Sequence, residues 1–205
     1  MTIAVAGAGL RRDLRLVADL VPQAARVLDI GCGDGALLET LWREKGVDGR
    51  GIELSQSGVN ACVARGLAVI QGDADRDLAD YPEGSFDVVV LSQTLQAVRR
   101  PRRVLEQMLR IGRRAIVSFP NFGHWSARWH LAWRGAVPAP RLVGEPWYRT
   151  PNIHPCSIAD FLDLCARAGI AVEKGWVVRP GGKVAPLGAG ANLLAREAVF
   201  LLRRA

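Results

Sequence analysis

The stretch Val27-Leu28-Asp29-Ile30-Gly31-Cys32-Gly33-Asp34-Gly35 joins a short apolar run, interrupted by one acid, to three alternating glycines. Such a run, stopped by glycine, reads as a buried strand. The glycines let the backbone turn tightly and let a ligand approach with no Cβ in the way. Behind them, Ala36 to Lys45 has helical spacing, and the free amides at its start face the same ligand. Two more acids extend the pattern. Glu53 closes a second short strand (Gly51–Leu54) twenty residues after Gly33, where a carboxylate accepts both hydroxyls of a ribose. Asp73, in Gln71-Gly72-Asp73-Ala74, follows a third strand (Leu67–Gln71) and is placed to take an adenine amino group.

The alternation continues to both ends of the chain. Residues 11–20 set Leu14, Val17 and Leu20 on one face and stop before Pro22, which makes a leading helix. Ser55 caps a helix that runs to about Arg65. Phe86–Leu91 is nearly all apolar, as a strand buried on both faces must be. Pro101 opens a helix to about Gly112, and Ala115–Phe119 returns as a strand. Ser157 with Asp160 makes a capping-box pattern for the next helix. Ile170–Val178, the glycines 181 and 182, and Arg196–Leu202 read as a closing antiparallel hairpin. Together these predict one domain over residues 1–205, α/β in class. Its sheet is doubly wound, Rossmann-like and seven-stranded, with right-handed crossovers. Residues 120–156 break the rhythm and hold four of the six Trp and all three His. Insertions of that length are lids or binding surfaces.

Composition narrows the function classes. With 49% hydrophobic residues, 23% charged residues and a mean hydropathy of +0.10, the chain is globular rather than disordered or collagen-like. No run approaches the roughly 18 apolar residues that span a bilayer. The apolar start, Ile3–Leu10, precedes its arginines, where a secretory signal has them first. A cytoplasmic protein without membrane contact is therefore expected. Cys32, Cys62, Cys156 and Cys165 form no Cys-x-x-Cys pair and lie near no histidine cluster, so free thiols and no metal site are expected.

The net charge of +7 is mostly arginine: Lys occurs only at 45, 174 and 183, leaving 24 of the 27 cations as Arg. Seven of them crowd Arg99–Arg114 around one acid, Glu106. Val104, Leu105, Met108 and Leu109 recur there at helical spacing. Two readings stand for the cluster: a surface facing phosphates or an acidic partner, or, the favoured one, a solvated helix face on which Glu106 pairs with Arg110 at i,i+4. No aromatic residue interleaves it, as base stacking on nucleic acid requires.

The glycine pattern alone is ambiguous, because Gly31, Gly33 and Ala36 also satisfy the relaxed dinucleotide fingerprint. Asp29 argues against a dinucleotide. A carboxylate just before the turn repels a pyrophosphate but suits the ammonium and sulfonium charges of S-adenosylmethionine. Asp29, the glycines, Glu53 and Asp73 together resemble the class I S-adenosylmethionine-dependent methyltransferases. That resemblance implies that Gly31 and Gly33 line the methionine part of S-adenosylmethionine or S-adenosylhomocysteine, with Asp29 on its amino group. It places Glu53 on the ribose and Asp73 with Ala74 on the adenine, with Leu91 and Ser92 beside the methyl group. Acceptor motifs are missing. The loop Ser92-Gln93-Thr94-Leu95-Gln96 lacks the Asn-Pro-Pro-Tyr pattern that holds an exocyclic amine, and Pro155-Cys156 is far from it in sequence. Positioning alone is enough for methyl transfer to a good nucleophile.

Four further blocks are more specific. They are Leu91-Ser92-Gln93-Thr94-Leu95-Gln96-Ala97, Ser118-Phe119-Pro120-Asn121-Phe122-Gly123-His124-Trp125, Trp147-Tyr148, and Thr150-Pro151-Asn152-Ile153-His154. With the glycine motif they resemble the methionine biosynthesis protein MetW family over roughly residues 11–178. The tail Gly188-Ala189-Gly190-Ala191-Asn192-Leu193-Leu194 departs from the more aromatic tail of that family. The resemblance implies an S-adenosylmethionine-binding partner or regulator of homoserine O-acyltransferase. The alternative is a methyltransferase acting on a small molecule. His124, His154 and Tyr148 are the candidate catalytic side chains, with hydrogen-bonded structural roles as the competing reading for the histidines. Trp125, Trp129 and Trp133 fall at i, i+4 and i+8, so a helix aligns them. Three readings remain open for that stripe: packed core, pocket lid, or partner-docking face.

Overall fold

The computed structural model describes residues 10–137, 149–150 and 152–205. In chain order the elements are α1 (Arg12–Leu20), β1 (Arg26–Ile30), α2 (Ala36–Lys45), β2 (Asp48–Glu53), α3 (Gln56–Ala64), β3 (Ala68–Gln71), β4 (Phe86–Ser92), α4 (Pro101–Ile111), β5 (Gly112–Pro120), α5 (Trp125–Arg134), α6 (Ile158–Arg167), β6 (Ile170–Val178), β7 (Val184–Pro186), α7 (Ala191–Leu194) and β8 (Glu197–Arg204). The sheet order is β3-β2-β1-β4-β5-β8-β6-β7. Strands β1 to β5 pair in parallel, and β8 inserts antiparallel between β5 and β6.

Seven of the eight strands correspond to the expected ones. The eighth, β7, is a three-residue edge strand on β6. It is too short for periodicity to reveal, and its Pro186 is tolerated because an edge strand can spare a ladder hydrogen bond.

Strand parity builds two cores. Val27, Val88, Val90 and Ile116 face α1 and α2, packing on Val17, Leu37 and Leu41. Leu28, Ile30, Val89, Leu91 and Val117 face the other way, onto Val104, Leu105 and Met108 of α4 and Phe161 of α6. The helix ends follow their sequence signals. Ser55 accepts from the Gly58 amide, and Ser157 and Asp160 close the capping box reciprocally. One expectation fails on α4. Glu106 pairs with Arg102 (2.9 Å) rather than Arg110. Arg110 instead donates to the carbonyls of Leu78 (2.9 Å) and Tyr81 (2.7 Å), stitching a short 3-10 turn to the helix.

Candidate functional site

The sheet reverses its winding between β1 and β4, and a cleft opens beyond the carboxyl ends of these two strands, where doubly wound sheets bind ligands. The cleft measures about 950 Å³. Asp29, Gly31, Gly33 and the first turn of α2 line it on one side, Ser92, Gln93 and Thr94 on the other, and Leu10, Arg11 and Leu14 across the top. Both glycines adopt positive φ (+70° and +57°). A Cβ on Gly31 would sit 2.6 Å from the Thr94 hydroxyl, whereas one on Gly33 would meet nothing within 4 Å, because Gly33 borders the open space.

Asp29 is 2% exposed, and no hydrogen bond reaches its carboxyl group among the described residues. Burial first, and then the charge of Glu53, push its carboxyl up to about 7. Glu53 stands just outside the lining of the cleft and is joined to it through Gly33. Its two oxygens accept the Gly33 amide (2.9 Å) and the Ser55 amide (2.9 Å), and each keeps a second lone pair for an incoming hydroxyl. Cys32 lies against Cys62 of α3 with the sulfurs 3.9 Å apart, and Cys62 also contacts the Gly33 carbonyl at 3.3 Å. Burial pushes both thiols up, so they stay protonated packing groups under the loop.

The remaining expected contacts sort clearly. Ser92 lines the cleft and shares a 2.9 Å hydrogen bond with Ser118. The Leu91 side chain does not line it: strand parity turns it fully into the α4 core. Asp73 and Ala74 follow β3, outside the lining of the cleft. One Asp73 oxygen accepts the Asp75 amide (2.9 Å), while Asp75 accepts the amides of Arg99 and Arg100.

The two candidate catalytic histidines stand elsewhere. His124 is 1% exposed and caps α5. Its Nδ1 accepts from the Ser126 amide, so the neutral ring carries its proton on Nε2, a buried nitrogen with no partner among the described residues. Burial and then Arg196 push its pKa down, which keeps it neutral. His154 is exposed, and its Nε2 lies 3.3 Å from the Arg99 carbonyl. Neither histidine lines the cleft. Tyr148 lies outside the described residues. Of the three readings of the tryptophan stripe, packed core is overturned: Trp125, Trp129 and Trp133 are all exposed.

Several organising residues carry no local signal. Gln93 takes positive φ (+57°) and donates to the buried Asp13 (3.2 Å), pinning α1 over the cleft. The buried Gln96 side chain donates to the carbonyls of Pro120 (2.9 Å) and Cys156 (3.3 Å), while the Gln96 backbone carbonyl accepts the amides of Ile153 and His154. Asn121 accepts the amides of Gly123 and Ile158 and donates to the carbonyls of Asn192 and Ala195. These two side chains physically join the separate sequence blocks, including the unusual tail. Among the described residues, no group of His, Cys, Asp and Glu side chains is arranged to hold a metal ion. No helix there is long and apolar enough to cross a membrane.

A family model for methionine biosynthesis protein MetW matches residues 11–202. The chain belongs to the MetW family. The bifunctional methionine biosynthesis protein MetXA/MetW of Rhodopirellula baltica is 34% identical over 206 residues, covering 95% of this MetW-family chain and 33% of its own length. The chain thus spans about a third of that relative. A ubiquinone biosynthesis O-methyltransferase of Xanthomonas axonopodis is 31% identical over 165 residues, 76% of this chain and 66% of that one. Among solved structures, an S-adenosylmethionine-dependent methyltransferase of Thermotoga maritima superposes with a TM-score of 0.69 at 20% identity, covering 95% of this chain and 88% of that one. The MetW-family fold is therefore the class I methyltransferase fold.

Proposed function

We propose that this MetW-family chain is a single methyltransferase-like domain that binds S-adenosylmethionine, or its demethylated product, in the β1–β4 cleft. In this reading it acts in the cytoplasm as a partner and regulator of homoserine O-acyltransferase, the enzyme that activates homoserine with an acyl-CoA. The observation that carries the ligand reading is Asp29, a buried carboxyl with its pKa pushed up to about 7 at the floor of an open glycine-lined cleft. Such a group gains most from a cationic ligand, which restores its charge and replaces the lost solvent. With Glu53 adjacent, a pyrophosphate would meet two acids where it needs donors.

The name of the Rhodopirellula baltica relative joins MetXA and MetW, which supports the acyltransferase partnership. A ligand made from the end product of the pathway is a sensible feedback signal at homoserine activation. The second reading, methyl transfer to a small molecule, draws on the ubiquinone O-methyltransferase relative. His124 and His154 lie away from the cleft and supply no acid or base to it, so in this reading transfer rests on positioning alone.

The test is a deletion strain without redundant acyltransferases. Growth should depend on methionine and recover on O-acylhomoserine. Recovery on homoserine, or no requirement at all, refutes the partnership. Calorimetry showing equal affinity for NAD and S-adenosylmethionine refutes the ligand.

A further inference from the structure

Exposed tryptophan is concentrated on one helix. On α5, Trp125, Trp129 and Trp133 are 52%, 62% and 77% exposed, and Leu131 is 53% exposed. The sole buried residue of its ten is Ala127. The helix is held from its N-terminal end, by the His124 cap and by Arg128, whose Nε donates to the Gly123 carbonyl at 2.7 Å. Side-on packing onto the sheet contributes little. The rings of Trp129 and Trp133 stack at 5.5 Å with 10° between their planes, so they already present a flat, ordered surface. At 150–250 Å² per ring, the stripe offers roughly 300–500 Å² of aromatic surface. That is about half of the ~800 Å² each partner contributes to a standard interface.

Charge selects the occupant. Arg128 and Arg134 flank the stripe, and residues 121–137 contain no acid. Two copies of this chain meeting through α5 would set those arginines against one another, so a second copy is a poor match. A protein with an apolar socket and an acidic rim is a good one. The Rhodopirellula baltica relative, named for MetXA and MetW together, matches this chain over 95% of its length while twice as much of that relative lies outside the match. In that relative a chain of this kind is thus joined to a MetXA part in one polypeptide, which the partnership proposed above takes to be the acyltransferase. The helix also begins only a few residues beyond β5, at the end of the sheet where Ser118 meets Ser92 of the cleft. A partner seated there lies beside the ligand site.

We propose that the Trp125–Trp129–Trp133 face of α5 is the surface on which homoserine O-acyltransferase docks, an inference that rests on the partnership proposed above. The contact combines ring burial with pairing of Arg128 and Arg134 to acids on the enzyme, as aromatic and arginine residues do at interface hot spots.

The test uses the full chain, Trp129→Ala, and the more exposed Trp133→Ser as a second variant. Each is titrated against the purified acyltransferase of the same organism, with S-adenosylmethionine affinity and melting temperature measured in parallel. The expected result is a loss of at least ~30-fold in affinity for the acyltransferase and of its activation, with ligand affinity and melting temperature unchanged. Wild-type chain that binds the enzyme, with both variants binding equally well, overturns the docking face and leaves the partnership standing. Wild-type chain that does not bind at all overturns the partnership, and the docking face with it. A fall in melting temperature for both variants assigns the stripe to packing and overturns the proposal. So does a loss confined to anionic lipid vesicles or to self-association.

Discussion

Replacing Asp29 by Asn keeps the side chain's size and removes its charge, so it isolates what burial of that carboxyl costs and gains. The folded pKa is about 7, against about 3.9 for an unfolded aspartate. Between those values the folded chain binds more protons than the unfolded one, so stability falls as pH rises from about 4 to 7 and levels off above. Three pKa units correspond to about 4 kcal/mol. Asp29→Asn should therefore be more stable than wild type at pH 8, by up to that amount, with the difference vanishing near pH 4. For a chain of this size that is an increase of about 10 °C in Tm.

Ligand affinity should move the other way. If only the ionised carboxylate receives the cationic ligand, wild-type affinity should rise about fivefold between pH 6 and pH 7, following the ionised fraction of a group of pKa about 7. That window stays below the ~7.7–8.0 at which a free α-amino group titrates. The Asn variant should bind weakly and without that pH dependence. Calorimetry at both pH values and thermal melts at pH 4 and 8 decide it. Wild-type affinity that is flat between pH 6 and 7, together with equal melting temperatures at pH 8, would refute the reasoning.

Glu53→Ala removes both amide-bound oxygens at the rim and should cost roughly 1.5–3 kcal/mol of S-adenosylmethionine binding by calorimetry; unchanged affinity would remove Glu53 from the site. Gly31→Ala combines φ of +70° with a Cβ 2.6 Å from the Thr94 hydroxyl, so it should lose about 1–3 kcal/mol of stability. Adding Thr94→Ala should return part of that loss, because it relieves the clash but leaves the backbone strain. Gln96→Ala removes the side-chain tie that joins the end of β5 at Pro120 to Asn152 and Cys156. It should lower stability by about 1–3 kcal/mol and speed proteolysis near residue 150; an unchanged cleavage rate would count against the tie.

The glycine loop, Glu53, the capping box at Ser157 and most strands were legible in the sequence because each depends on neighbours a few residues away. Periodicity, turn geometry and capping are local, and side chains 20 residues apart across one crossover meet by the rules of a parallel sheet. The Asp29 position was legible too, but its titration was not, because burial and the approach of Glu53 exist only once β2 lies beside β1.

Where the tertiary structure alone decided, the partners are distant or the pattern is degenerate. Gln96 meets Cys156 across 60 residues, and Asn121 meets Ala195 across 74; nothing in the local pattern of either residue marks it as a tie. Leu91 and Ser92 are adjacent, yet parity sends one into the core and the other to the cleft. Glu106 had an arginine four residues away on either side, and the loop carbonyls that engaged Arg110 chose between them. A stripe of tryptophans at i, i+4 and i+8 is equally compatible with burial and with exposure. Which of the two holds depends on whether another layer covers the helix, and that is settled by the order of the strands rather than by the residues of the helix itself.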